Sequence, residues 1–178
     1  ALLSANMDRE MPVDRWIMLS RCRAWLVYQD YSQALRTDCI VQVSQDEQGR
    51  MFWLYRVPTG LGRHILFSVI LEMVGGQNRI RMHFFRQKSQ GKDQLADDRP
   101  VRLILRPDIE NRSFHDTTKA YTGPEQNFPA AVRPADNGFA FTPDSDHRLD
   151  MDMDSSQFVW EPEWRYMVYR QLEAERGL

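Results

Sequence analysis

The sequence predicts an all-β fold, a large antiparallel β-sandwich, and three observations carry that prediction. Short segments rich in β-branched and aromatic residues recur along almost the whole chain. Turn-forming clusters separate them at intervals of roughly 8–12 residues, the rhythm of a sandwich. At 178 residues the chain suits one domain of that kind, residues 1–178.

The elements follow in order. RWIML (Arg15 to Leu19) and CRAWLVY (Cys22 to Tyr28) are the first two strands. DCIVQVS (Asp38 to Ser44) is the next, and the cluster Gln45-Asp46-Glu47-Gln48-Gly49 folds it back onto MFWLYRV (Met51 to Val57) as a hairpin. Pro58-Thr59-Gly60-Leu61-Gly62 is the following turn. HILFSVILEM (His64 to Met73) is apolar on both faces, which places it centrally. After Gly75-Gly76-Gln77-Asn78 the alternation is clear. Ile80, Met82 and Phe84 face the core, with Arg79, Arg81 and His83 toward water. Residues 87–98 (QKSQGKDQLADD) read as an exposed, mobile loop, and VRLIL (Val101 to Leu105) as a strand burying Leu103 and Leu105. Pro107 should end that strand, because proline has no N–H to donate. Residues 116–136, with Gly123, Pro124, Pro129 and Pro134, read as a long loop. GFAFTP, HRLDMDM and SQFVWEP are three short strands, and from Tyr169 the residues favour a short C-terminal helix.

Composition excludes several classes. A hydrophobic content of 42% and a charged content of 27% are ordinary for a soluble globular protein. A net charge of −2 gives no drive toward nucleic acid or an anionic membrane. The longest apolar run, HILFSVILEMV, is broken by Ser68 and Glu72 and falls short of the roughly 18 residues of a membrane span. The N-terminus lacks the basic and apolar regions of a secretory signal, so a cytoplasmic protein is expected. Cys22 and Cys39 lie within apolar alternation and read as buried free thiols. Neither a metal site nor a cofactor is expected, since Cys and His are too sparse for a ligand set.

The densest chemistry lies in RPDIENRSFHDTTK, Arg106 to Lys119. Polar residues of such variety are costly to bury unpaired, so they belong on a loop or in a satisfied network. Two readings stand: a salt-bridged loop at the edge of the sandwich, or the polar wall of a sugar site. Arg106, Arg112, His115 and Lys119 are the candidate substrate-binding or domain-interface residues, with Trp164 as an aromatic platform beside Pro162. Trp16, Trp25, Trp53 and Trp160 lie in apolar strands and read as core. No catalytic residue is expected. Asp108 and Glu110 lie two apart, with nothing to set them across a glycosidic bond. Asp150, Asp152 and Asp154 superficially match a calcium loop, but Ser155 stands where that loop needs glycine. Period 2 explains them better, with Leu149, Met151 and Met153 inward and the aspartates outward.

GGQNRIRMHFFR (Gly75 to Arg86), VRLILRPDIENRSFH (Val101 to His115) and the C-terminal EPEWRYMVYRQLEAERGL carry a resemblance. Together they resemble the β-rich domain that precedes the catalytic (α/α) barrel in glycogen-debranching enzymes of the amylo-α-1,6-glucosidase type. In that family an Asn-bearing strand is followed by a second strand that leads into Arg and an aromatic–His pair, here matched by Arg112 and Phe114-His115. The family's upstream Arg-Tyr-His-Gly segment is missing, and nothing resembles its catalytic barrel. The resemblance implies a piece of a longer enzyme that hydrolyses α-1,6 branch points of a glycogen-like α-glucan. The chain's role is then to position substrate and support a downstream helical catalytic domain. A face exposed by loss of that domain offers a route to self-association. A free-standing carbohydrate-binding module and a ligand-free structural interaction domain are the alternatives.

Overall fold

Most of the alternating segments are strands. The structure, a computed structural model, describes residues 1–8, 10, 14–166, 168 and 174–175. Strand makes up 49% of it and helix 9%, in antiparallel sheets that are not closed into a barrel. The fold is therefore all-β, of the open antiparallel sandwich class. The chain forms two compact units, one of residues 21–108 and one of residues 1–20 with 109–178.

In the first of these, β4 (Ile40–Gln45), β5 (Met51–Gly60), β6 (Arg63–Met73) and β7 (Ile80–Arg86) form an antiparallel sheet in that order. The inner position of β6 explains its apolar run. In register, Trp53 lies opposite Val69, and Val69 opposite Phe84. Period 2 then brings Val57, Ile65, Phe67 and Val69 to one face, where Leu26 and Leu95 complete a buried core. Each such side chain contributes roughly 1.5–3 kcal/mol by leaving water. On β7 the alternation is as expected, with Arg81 and His83 exposed and Ile80, Met82 and Phe84 turned inward. Those three, and Leu103 and Leu105, are half-buried rather than fully buried. For the β7 residues the reason is position, because β7 is an edge strand.

Several boundaries differ from the sequence reading. RWIML and CRAWLVY are one continuous strand, β2 (Arg15–Tyr28), which turns at Gln29 into β3 (Tyr31–Ala34). Thr37–Cys39 is a 3-10 turn, so β4 begins at Ile40 rather than Asp38. Strand β5 runs through Pro58 to Gly60, which shortens the turn to Leu61-Gly62. The 87–98 loop is pinned. Its Leu95 is 2% exposed, and the Arg86 guanidinium donates to the carbonyls of Leu95, Ala96 and Arg99. The sequence signal for this is that lone leucine, an apolar plug in a polar run.

Pro107 does not end its strand. Strand β8 (Arg102–Ser113) continues through it and takes up most of the polar signature. β8 pairs with β2. A strand tolerates proline where the missing N–H is not needed by a neighbour.

In the unit of residues 1–20 and 109–178, β1 (Leu3–Asn6) pairs with the start of β2, Leu3 opposite Leu19 and Ala5 opposite Trp16. The expected long loop holds a helix, α1 (Pro124–Ala131), with Pro124 where a missing N–H costs nothing. It also leads into β9 (Val132–Ala135). β9, β10 (Gly138–Phe141) and β11 (Leu149–Asp152) make a second antiparallel sheet, order β11-β10-β9. Leu149 is buried and Met151 half-buried, with Asp150 and Asp152 exposed. Gly138 is required: a Cβ there would sit 1.9 Å from the Met151 carbonyl oxygen. SQFVWEP is not a strand. Ser155 takes a φ of 54°, and Ser156 Oγ donates to the carbonyls of Asn137 and Met153, which turns the chain away from β11. The C-terminal helix expected from Tyr169 lies largely outside the described residues, of which Ala174 and Glu175 are helical. Among the described residues no helix is long and apolar enough to cross a membrane.

Candidate functional site

The second half of β8 organises the polar chemistry of the unit formed by residues 1–20 and 109–178. Strand alternation sends Glu110 and Arg112 to one face and Asn111 to the other.

On the first face Arg112 is 7% exposed, and a buried guanidinium must be paired. Its Nε donates to Glu110 Oε2 at 2.8 Å, and its Nη1 donates to the Asp116 carbonyl. The Thr118 hydroxyl donates to the same Glu110 oxygen at 2.8 Å. This clasp closes the segment from Ser113 to Thr118 back onto the strand. The Phe114 N–H donates to the Arg15 carbonyl at 2.8 Å, and the Arg15 guanidinium lies 4.3 Å from the Phe114 ring centroid.

On the other face Asn111 joins two groups. Its Oδ1 accepts from Trp16 Nε1 at 2.6 Å, and its Nδ2 donates to Asp144 Oδ2 at 2.8 Å. Asp144 also meets His147 Nδ1 at 2.8 Å, and its Oδ1 accepts the backbone N–H groups of Asp146 and His147. The His147 ring stacks on Trp16 at 4.2 Å between centroids and 6° between planes. Partial burial raises the Asp144 carboxyl, but the bonds from His147, Asn111 and those two N–H groups outweigh it and hold the pKa at about 2. Trp16, Asn111, Asp144 and His147 thus form one connected network.

Of the sequence-predicted residues, Arg112 lies in the clasp. His115 is exposed beside it, edge-on to Phe114 at 5.4 Å. Lys119 is exposed, and its carbonyl accepts from the Thr122 hydroxyl. Trp164 is half-buried and lies 6.1 Å from Phe128, which in turn meets Phe141 edge-on. Arg106 belongs to the unit of residues 21–108 and is half-buried in β8. There Asp108 receives Arg21 Nε at 2.5 Å and Arg23 Nε at 3.0 Å. The network around Trp16 and His147 was not foreseen, because its members lie up to 131 positions apart. A local signal existed in Pro143-Asp144-Ser145-Asp146-His147, where an aspartate accepts N–H groups two and three residues on.

Among the described residues no group of three or more His, Cys, Asp or Glu gathers as a metal site. Trp160 is 46% exposed and leans on Phe158, which contacts Phe139.

Residues 1–178 match the family model described as glycogen debranching enzyme N terminal. The chain belongs to that family. No curated protein and no solved structure matches it. The debranching-enzyme resemblance of β7 and β8 therefore extends over the whole chain. In this N-terminal domain of a debranching enzyme, the Arg112 and Phe114-His115 positions carry the clasp and an aromatic–imidazole pair whose imidazole is exposed.

Proposed function

We propose that this domain is the non-catalytic, substrate-positioning and structural part of an α-1,6-glucosidase acting on glycogen-like α-glucans. The observation that supports the reading most is how its carboxylates are engaged. Asp108 is occupied by two arginines, Glu110 by Arg112 and Thr118, and Asp144 by His147 and Asn111. A glycosidase acid must carry a proton at working pH and reach the leaving oxygen. With its pKa at about 2, Asp144 is ionised at any working pH.

The domain works beside a helical catalytic domain, and its contribution is to hold the glucan and the enzyme's own architecture. His115, Lys119 and the exposed rings of Tyr121 and Trp160 supply polar groups and apolar faces for that role. A cytoplasmic setting accords with Cys22 and Cys39 remaining free thiols. The test is kinetic. In the enzyme carrying this domain, His115→Ala and Trp160→Ala should raise KM for branched glucan and leave kcat on a short α-1,6-linked substrate unchanged. Unchanged KM in both variants would remove the positioning role. The exposed rings also favour a second reading, a carbohydrate-binding module that acts alone. Retention of the isolated domain on immobilised glycogen, lost in Trp160→Ala, would select it.

A further inference from the structure

A second polar constellation lies in the unit of residues 21–108, at the end of the β5–β6 hairpin. Gly60, Leu61 and Gly62 have φ of 80°, 53° and 71°. Gly60 pairs with Arg63, so Leu61 and Gly62 form a tight two-residue connection of the left-handed kind that hairpins prefer. Beside this turn is an open pocket of about 320 Å³, lined by Tyr31, Arg56, Pro58, Gly62, Arg63 and His64. That volume is at the small end of ligand sites, which run from roughly 300 to 1,000 Å³.

The pocket's wall is fixed. The His64 N–H donates to the Asp93 carbonyl at 3.1 Å, and the Leu95 N–H donates to the His64 carbonyl at 2.8 Å. Leu95 is embedded in the core, so the Asp93 strap cannot drift. Gly91 makes room for it, since a Cβ there would meet Asp93 Oδ1 at 2.8 Å. The His64 side chain is 10% exposed, and its Nδ1 lies 3.5 Å from Arg56 Nη2 and 3.7 Å from Asp93 Oδ2. Arg56 reaches Asp93 at 3.5 Å. Arg63 is exposed and makes no ion pair among the described residues. Two guanidiniums therefore line the pocket, and among the described residues only Arg56 of the two meets a carboxylate. Tyr31, 42% exposed, lies against Gly60 and presents an aromatic ring beside them.

We propose that this pocket binds the phosphomonoester of a hexose. Guanidiniums are the preferred partners of phosphate oxygens, which they meet in paired hydrogen bonds. The excess positive charge selects an anion over a neutral sugar. The Tyr31 ring offers an apolar face to a pyranose, and His64 supplies a polar group for its hydroxyls. A free hexose phosphate and a phosphate ester on a glucan chain present the same chemistry.

Calorimetric titration of the 178-residue chain with glucose 6-phosphate, glucose and inorganic phosphate tests this. Glucose 6-phosphate should bind more tightly than either of the other two. Arg63→Ala and Arg56→Ala should each weaken it by at least about tenfold, the usual worth of a charged hydrogen bond. Tyr31→Ala should weaken glucose 6-phosphate while sparing inorganic phosphate. Circular dichroism of each variant checks that the fold is kept. No binding to the folded wild-type chain would overturn the proposal, as would equal affinity for glucose and glucose 6-phosphate, or full affinity in folded Arg63→Ala. Retention on phosphorylated glucan that phosphatase treatment abolishes would assign the ester on the polymer. No retention on phosphorylated glucan, with glucose 6-phosphate still bound, would assign the free sugar phosphate.

Discussion

Replacing Glu110 with alanine should be among the most damaging single changes in the unit that contains it. The Arg112 side chain is 6% exposed, and Glu110 is its carboxylate partner at 2.8 Å. Removing the carboxylate takes a charged partner from a buried guanidinium, a loss of about 3–5 kcal/mol. In a chain of this size each kcal/mol moves Tm by roughly 2–4 °C, so Glu110→Ala should lower Tm by roughly 6–20 °C. Arg112→Ala removes the charged bonds to Glu110 and to the Asp116 carbonyl, each worth about 1.5–3 kcal/mol. Its cost should be similar. The paired substitution Glu110→Leu with Arg112→Met replaces the ions by apolar groups of comparable size and should recover most of the loss. Thermal and urea unfolding followed by circular dichroism measures all three. The reasoning fails if Glu110→Ala costs less than about 1 kcal/mol, or if the paired variant loses the sum of the two single changes.

Three further outcomes follow from the same structure. Gly138→Ala drives a Cβ into the Met151 carbonyl at 1.9 Å and should cost at least about 3 kcal/mol, read as a lowered Tm or as loss of soluble protein. Asp144 is more acidic folded, at about 2, than at its ordinary 3.8. Its contribution is complete above 3.8 and is lost as pH falls through 2, so the stability gap between wild type and Asp144→Asn should shrink across that window in urea titrations. Burial, and then the nearby Asp108 charge, push the Cys22 thiol up to about 11. Native protein at pH 8 should therefore label slowly at Cys22 with a thiol reagent and rapidly once unfolded; fast native labelling would contradict that burial.

The sheet β4-β5-β6-β7 was legible because period 2 reports both strand identity and facing. The pattern Ile80, Met82, Phe84 against Arg81, His83 needs no tertiary information. What escaped was set by partners distant in sequence. Pro107 reads as a stop only if an N–H is needed at that position, and that depends on which side of β8 is paired. Trp16 read as core on local pattern, whereas the fold stacks it on His147 and bonds its indole N–H to Asn111. Arg112 stands beside the aromatic–His pair in the sequence; its burial follows from the return of the chain at Asp116 and Thr118, which no local pattern shows. Helix α1 was hidden by its own prolines, since Pro124 and Pro129 read as loop until the first is seen at a helix start.

Sugar release by the purified chain tests the central claim most directly, because Asp108, Glu110 and Asp144 are engaged in holding the fold rather than in catalysis. Incubated with a branched α-1,6-linked glucan, the chain should yield no reducing sugar above the enzyme-free control across the pH range in which it stays folded. Release that is lost in Asp108→Asn, Glu110→Gln or Asp144→Asn, each shown to be folded, would contradict the account.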